Sequence, residues 1–141
     1  MSGVFLRYRW QDSAPSAGRI YDRLVAHFGV EHVFRDIDTL APGAEFAQVI
    51  RERIENCDVV VVVIGSQWLS IADASGKCRL DHPHDLLKAE IAEALTHRKL
   101  VIPTLVEGAR RPTRAEFPLE IVGLGDRNII EISELRFAYD V

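Results

Sequence analysis

Few residues in this sequence could do chemistry. Glu90 lies at the border of a helical stripe made by Leu87, Ile91, Ala94 and Leu95, one turn after Leu86. A carboxylate there is half-shielded, and near the top of its helix it would face the rim of a sheet. On spacing alone, a surface glutamate paired with a neighbour is the commoner outcome. Glu93 sits further out and forms an i, i+4 pair with His97, which reads as solvated. Asp36 and Asp38 could together hold a magnesium ion, as in a phospho-receiver, although turn-forming aspartates are commoner. His82, His84 and Asp85 resemble a metal cluster, but Pro83 kinks the run and no third distant ligand accompanies it, so no metal is expected. Ser66 and Ser70 lack a matching His–Asp arrangement. No Walker loop and no GxGxxG follow the first strand, so the usual phosphate cradles are missing.

The elements that must position these residues centre on the run Val59 to Ile64, six consecutive β-branched apolar residues closed by Gly65. Such a strand cannot alternate inside and outside, so both of its faces must be covered, as in a parallel sheet between helices. Before it come a strand at 3–8, a polar loop that Asp12 or Ser13 can end as a helix cap, and Pro15 in the first helical turn. Ala17, Ile20, Tyr21, Leu24, Val25 and Phe28 then mark an amphipathic helix that Gly29 stops. A short strand at 32–35 and a loop at 36–43 lead to a second helix through Phe46, Val49, Ile50 and Ile54. After the central strand, 67–71 suggests a helical turn and 72–85 a long polar loop. A third helix is predicted over about 85–97, a fourth strand over 100–106 and a fifth over 128–132, where Ser133 can cap a last helix. Pro103 inside the fourth strand calls for an edge or a bulge. Residues 107–118 read as a loop with a basic patch at Arg110, Arg111 and Arg114. This βα alternation implies an open, mostly parallel, doubly wound sheet whose ligands bind beyond the carboxyl ends of the strands. That rim carries Tyr8, Arg9, Asp36, Asp38, Gly65 and Ser66.

Length and composition fit one domain with one sizeable core: 141 residues, 48% of them apolar. The net charge of −4, from 17 basic and 21 acidic residues, gives no field for nucleic acid. No apolar run approaches a membrane span, and the N-terminus has no secretory pattern. Cys57 and Cys78 stand far apart and read as free thiols of a cytoplasmic protein. The sequence stops at Val141 just inside the last predicted helix, which suggests a domain, 1–141, cut from a longer chain.

Several segments together resemble the TIR (Toll/interleukin-1 receptor) domain family. Residues 4–9 (VFLRYR) are similar to its first box and 17–24 (AGRIYDRL) to the first helix of its bacterial branch. Val33, Phe34, Arg35 and Asp36, followed by Pro42 and Gly43, resemble the second strand and the loop after it. Residues 57–69 resemble the third strand and its exit, and Val101, Ile102 and Pro103 the fourth, proline included. The resemblance implies a flavodoxin-like, five-stranded sheet in the order 2-1-3-4-5, flanked by helices. Many bacterial members, and the axon-degeneration member in animals, cleave NAD⁺ at the nicotinamide–ribose bond with a glutamate on the third helix, four residues after a tryptophan. Glu90 matches the glutamate, and Leu86 stands where the tryptophan would be. Tyr8 and Arg9 match pocket positions and Asp38 is the nearest match to an acidic substrate contact, whereas Arg7 replaces the serine that usually precedes the tyrosine.

The resemblance implies an enzyme that hydrolyses or cyclises NAD⁺, as substrate and not cofactor, in antiphage defence or signalling. It also implies a homo-oligomer or filament with other TIR domains, joined through Asp36, Leu40, Pro42 and Gly43, and a sensor domain in the parent chain. Two other readings compete: a non-catalytic TIR–TIR interaction module, and an enzyme like the nucleoside deoxyribosyltransferases, which also use a glutamate on a related sheet.

Overall fold

The computed structural model describes residues 3–35, 52, 54–72, 76, 78, 80, 86–126 and 129–131. Five parallel strands form one sheet: β1 (Val4–Arg7), β2 (Val33–Arg35), β3 (Val59–Ile64), β4 (Leu100–Leu105) and β5 (Ile130–Glu131). Their spatial order is β2-β1-β3-β4-β5, the order that the family resemblance implied. Helices cover both faces.

The valine run behaves as its composition requires. Val60, Val62 and Ile64 point into a cluster with Leu87, Ile91 and Ala94 of the Leu86–Thr96 helix. Val61 and Val63 point the other way, toward Ala17 and Ile20 of the first helix, Trp10–Phe28. Alternation along a pleated strand thus feeds two separate cores. β3 pairs with β1 from Val4↔Val59 to Arg7↔Val62 and with β4 from Val59↔Leu100 to Ile64↔Leu105.

Pro103 sits inside β4, opposite Val62. Among the described residues β5 pairs with Thr104 and Leu105 and not with Pro103, so there the strand is laddered to β3 alone and the missing donor costs little.

The first helix departs from the simple stripe in two ways. Ser13 leaves helical geometry (φ −147°, ψ 25°), so one opening turn precedes the main body and Pro15 lies just inside that body, where its missing N–H is harmless. At the other end Phe28 is exposed, although Ala17 and Ile20 are buried.

Of the expected second helix, Glu52, Ile54 and Glu55 are helical and Ile54 is buried; Phe46, Val49 and Ile50 lie outside the described residues, as does the helix expected after Ser133. A 3-10 helix at Leu119–Asp126 was not foreseen. It packs Ile121 and Leu124 into the cluster over the Leu86–Thr96 helix, while Gly123 and Gly125 dilute the apolar periodicity that would have announced it. Among the described residues no helix is long and apolar enough to cross a membrane.

Replacing Val62 or Val61 by Asp should destabilise the domain by several kcal/mol, because either change buries an unpaired charge. Urea denaturation measures this. A native midpoint for either variant would show that one face of β3 is not covered.

Candidate active site

The site begins with the pleat of β1. Val4 and Leu6 join the core under the first helix, so Phe5 and Arg7 face the Leu86–Thr96 helix. Arg7 is fully buried at the carboxyl end of the strand. Its guanidinium lies 5.2 Å from the centre of the Phe5 ring, within cation–π range.

Glu90 comes from the opposite side. It follows Leu87 by three residues and precedes Ala94 by four, so it belongs to the buried stripe itself and not to its border. Its exposure is 0%. One carboxylate oxygen, Oε1, is 3.1 Å from Nη2 of Arg7, and both side chains are completely shielded. The half-exposed glutamate expected from spacing is therefore a buried member of an ion pair. Strand alternation could have found its partner. An arginine on the core-facing side of a central strand requires an acid, and Glu90 is the acid beside the stripe that covers that face.

Arg9 is also fully buried. Its backbone is extended (φ −91°, ψ 125°), which continues the alternation past the strand, and its carbonyl accepts the N–H groups of Asp12 and Ser13 at 3.0 Å to open the first helix. Tyr8, between the two arginines, packs into the opposite cluster with Val61, Val63 and Val106. The structure thus brings Arg7 and Glu90 together, and strand alternation places Arg9 on their side and Tyr8 on the other. Leu86 opens the helix one turn before Glu90, as expected. Asp36, Asp38, Leu40, Pro42 and Gly43 lie outside the described residues, as do His82, His84 and Asp85. Lys88 on the same helix is buried too, a feature the sequence reading missed.

Asp12 has a different task from the helix cap assigned to it by local sequence. Its carboxylate crosses to the exit of β3, where the backbone N–H of Gly65 donates to Oδ2 at 2.8 Å and that of Gln67 to Oδ1 at 2.7 Å. A Cβ on residue 65 would meet Oδ1 at 2.6 Å, so a larger residue there would push the Asp12 carboxylate out of this contact. The clamp fixes the β3 rim against the helix that follows β1.

Among the described residues no group of three or more His, Cys, Asp or Glu could hold an ion; the candidates Asp36, Asp38, His82, His84 and Asp85 lie outside them. Cys57 is buried, donates to the Ile54 carbonyl at 3.4 Å, and burial pushes its thiol pKa up. Glu93 and His97 form the expected solvated pair at 2.6 Å. An open surface hollow of about 420 Å³ lined by Arg23, Leu24, Ala26, His27 and Phe28 lies near the far end of the first helix. At a rise of 1.5 Å per residue it begins about 20 Å along the axis from the helix start at the β1 exit, so it is separate from the ion pair.

A parallel sheet in this order, covered by helices on both faces, is a doubly wound α/β fold. A family model described as TIR domain matches residues 4–137, and the chain belongs to that family. Among solved structures, it is similar to the TIR domains in the structure of the activated Roq1 resistosome directly recognizing the pathogen effector XopQ. The TM-score is 0.62 at 15% identity, over 99% of this chain and 90% of that one, a likeness of fold. A search of curated proteins gives no match.

The supposed basic patch is partly neutralised. Arg110 holds the Glu116 carboxylate with both terminal nitrogens, and the Thr113 N–H donates to it at 2.9 Å. The Arg110 bonds, chiefly, hold the Glu116 pKa down at about 2, against 4.5 for a free glutamate. A depressed pKa stabilises the fold above pH about 4.5, and that contribution is lost as the pH falls through about 2. A carboxyl-detected NMR titration should give Glu116 a midpoint near 2. A midpoint near 4.5 would mean that the Arg110 contact does not form.

Proposed function

We propose that this TIR domain cleaves NAD⁺ at the nicotinamide–ribose bond, with Glu90 as the reacting carboxylate. The observation that supports this is the position of Glu90 in an otherwise apolar stripe, buried with Arg7 at the carboxyl end of β1. Buried ion pairs bring little net stability compared with packed apolar residues, so such a pair in a core asks for a reason other than stability. The carboxyl end of a strand in a doubly wound sheet is where ligands bind.

The chemistry suits a lone carboxylate. Breaking the C1′–N bond sends its electron pair to the nicotinamide nitrogen, which neutralises the pyridinium, and leaves positive charge on the ribose. Nicotinamide departs without a general acid. Water then bonds to C1′ and releases one proton, giving ADP-ribose; a nucleophile within the same molecule would give a cyclic product. A carboxylate about 4 Å from the ribose at an effective dielectric of about 20 stabilises the oxocarbenium-like state by roughly 4 kcal/mol, near a thousandfold in rate. In the family resemblance the loop containing Asp36, Leu40, Pro42 and Gly43 joins neighbouring copies, and we assign it that role here, in a defence or signalling assembly.

One observation favours the second reading, a non-catalytic module that binds other TIR domains. At 3.1 Å the attraction between Arg7 and Glu90 is about 5 kcal/mol at the same effective dielectric, as large as anything the carboxylate could offer a ribose.

Concentrated protein incubated with NAD⁺ should release nicotinamide. Glu90→Gln should lower that release by on the order of a thousandfold. Glu93→Gln, on the solvated side of the same helix, should stay active. Wild-type turnover in Glu90→Gln would leave the interaction module as the better account.

A further inference from the structure

We propose that Arg7 is an internal lock, a counter-ion that keeps Glu90 closed until the pair is parted. The proposal rests on Glu90 being the reacting carboxylate. Oε1 of Glu90 is engaged by Arg7 at 3.1 Å, and neither side chain has any exposed surface. A ribose that this carboxylate is to stabilise must approach it to about 4 Å, which a side chain with no exposed surface does not allow. The closed pair and a productive complex therefore exclude one another.

Arg7 is well placed to hold such a lock. Its residue pairs in register with Val62 of β3, and the preceding Leu6 pairs with Arg35 of β2, so the backbone beneath it is fixed from both sides. The guanidinium is steadied over Phe5, its neighbour on the same face. Glu90 is held among Leu87, Ile91 and Ala94 of its stripe, all three fully buried. Opening means moving a carboxylate out of a packed interface, which makes two discrete states and not a gradual adjustment. Turnover then scales with the fraction of molecules in the open state, because substrate binds only to that fraction. The lock holds as long as the two side chains stay in contact. It is released by whatever parts the strand from the helix, or by loss of the Arg7 charge.

The test compares wild type, Arg7→Gln, Arg7→Lys and Arg7→Gln/Glu90→Gln in two assays. One follows nicotinamide release from NAD⁺. The other follows carbodiimide-driven amidation of Glu90 by mass spectrometry, with Glu93, whose side chain is 31% exposed, as the internal reference. In wild type, Glu90 should label far more slowly than Glu93. Arg7→Gln should bring the two rates together and raise turnover at low NAD⁺ by about tenfold or more, through a lower apparent KM, as a larger open fraction requires. Arg7→Lys keeps the charge and should stay closed in both assays, and the double variant should be silent in the first. If Arg7→Gln labels at Glu90 but turns over no faster, while Glu90→Gln is inactive, the lock is wrong and the catalytic assignment stands. If no variant releases nicotinamide, even with Glu90 labelled, the catalytic assignment falls and the lock with it. Should Arg7→Gln not fold, the wild type still decides: labelling of Glu90 as fast as Glu93 overturns the lock, and slow labelling that Arg7→Lys preserves supports it.

Discussion

A guanidinium and a carboxylate can share the inside of a protein only if they meet. That constraint governs the contact between Arg7 and Glu90. Neither side chain reaches solvent, and Oε1 and Nη2 are 3.1 Å apart. Removing either partner strands charge in a medium that solvates it poorly, at a cost of about 3–5 kcal/mol in comparable buried pairs. The contact therefore fixes the register of the Leu86–Thr96 helix on the sheet, independently of apolar packing, which would tolerate small slides.

The rest of the fold exists to make that burial possible. β3 is covered on both faces because six β-branched residues in a row leave no polar side to turn outward. Its Val62 pairs with Arg7 itself. Val60 and Ile64 build the floor on which Leu87, Ile91 and Ala94 rest, and Glu90 is carried in with them. On the other face the first helix packs Ala17 and Ile20 against Val61 and Val63, and Asp12 ties the start of that helix to Gly65 and Gln67. The carboxyl ends of β1 and β3 are thus held by charged contacts, while their middles are held by apolar ones. This division suits a sheet that keeps its binding edge polar.

What the sequence revealed follows from the range of each interaction. The β3 run and the first-helix stripe rest on local periodicity, the strand order on the family resemblance, and all three are present in the structure. Pro103 was explicable because β4 is laddered on one side at that point. Asp12 was misjudged because capping rules look only at sequence neighbours, while its partners Gly65 and Gln67 lie 53 and 55 residues away. Glu90 was singled out, but its full burial was not foreseen, since helical spacing cannot show that the opposing strand brings an arginine. Arg7 was noted only as a departure from a family pattern. Its significance becomes visible once parallel pairing of β1 with β3 sets which side chains face the same helix.

The most direct test of this account is a double-mutant cycle on the pair: Arg7→Met, Glu90→Gln and both together, compared with wild type by urea denaturation at constant slope. Two buried groups in contact should show a coupling energy of about 1–3 kcal/mol, with the double variant more stable than the two single losses would sum to. A coupling indistinguishable from zero would mean that Arg7 and Glu90 do not meet in the folded domain, and the account of both the site and its closure would be wrong.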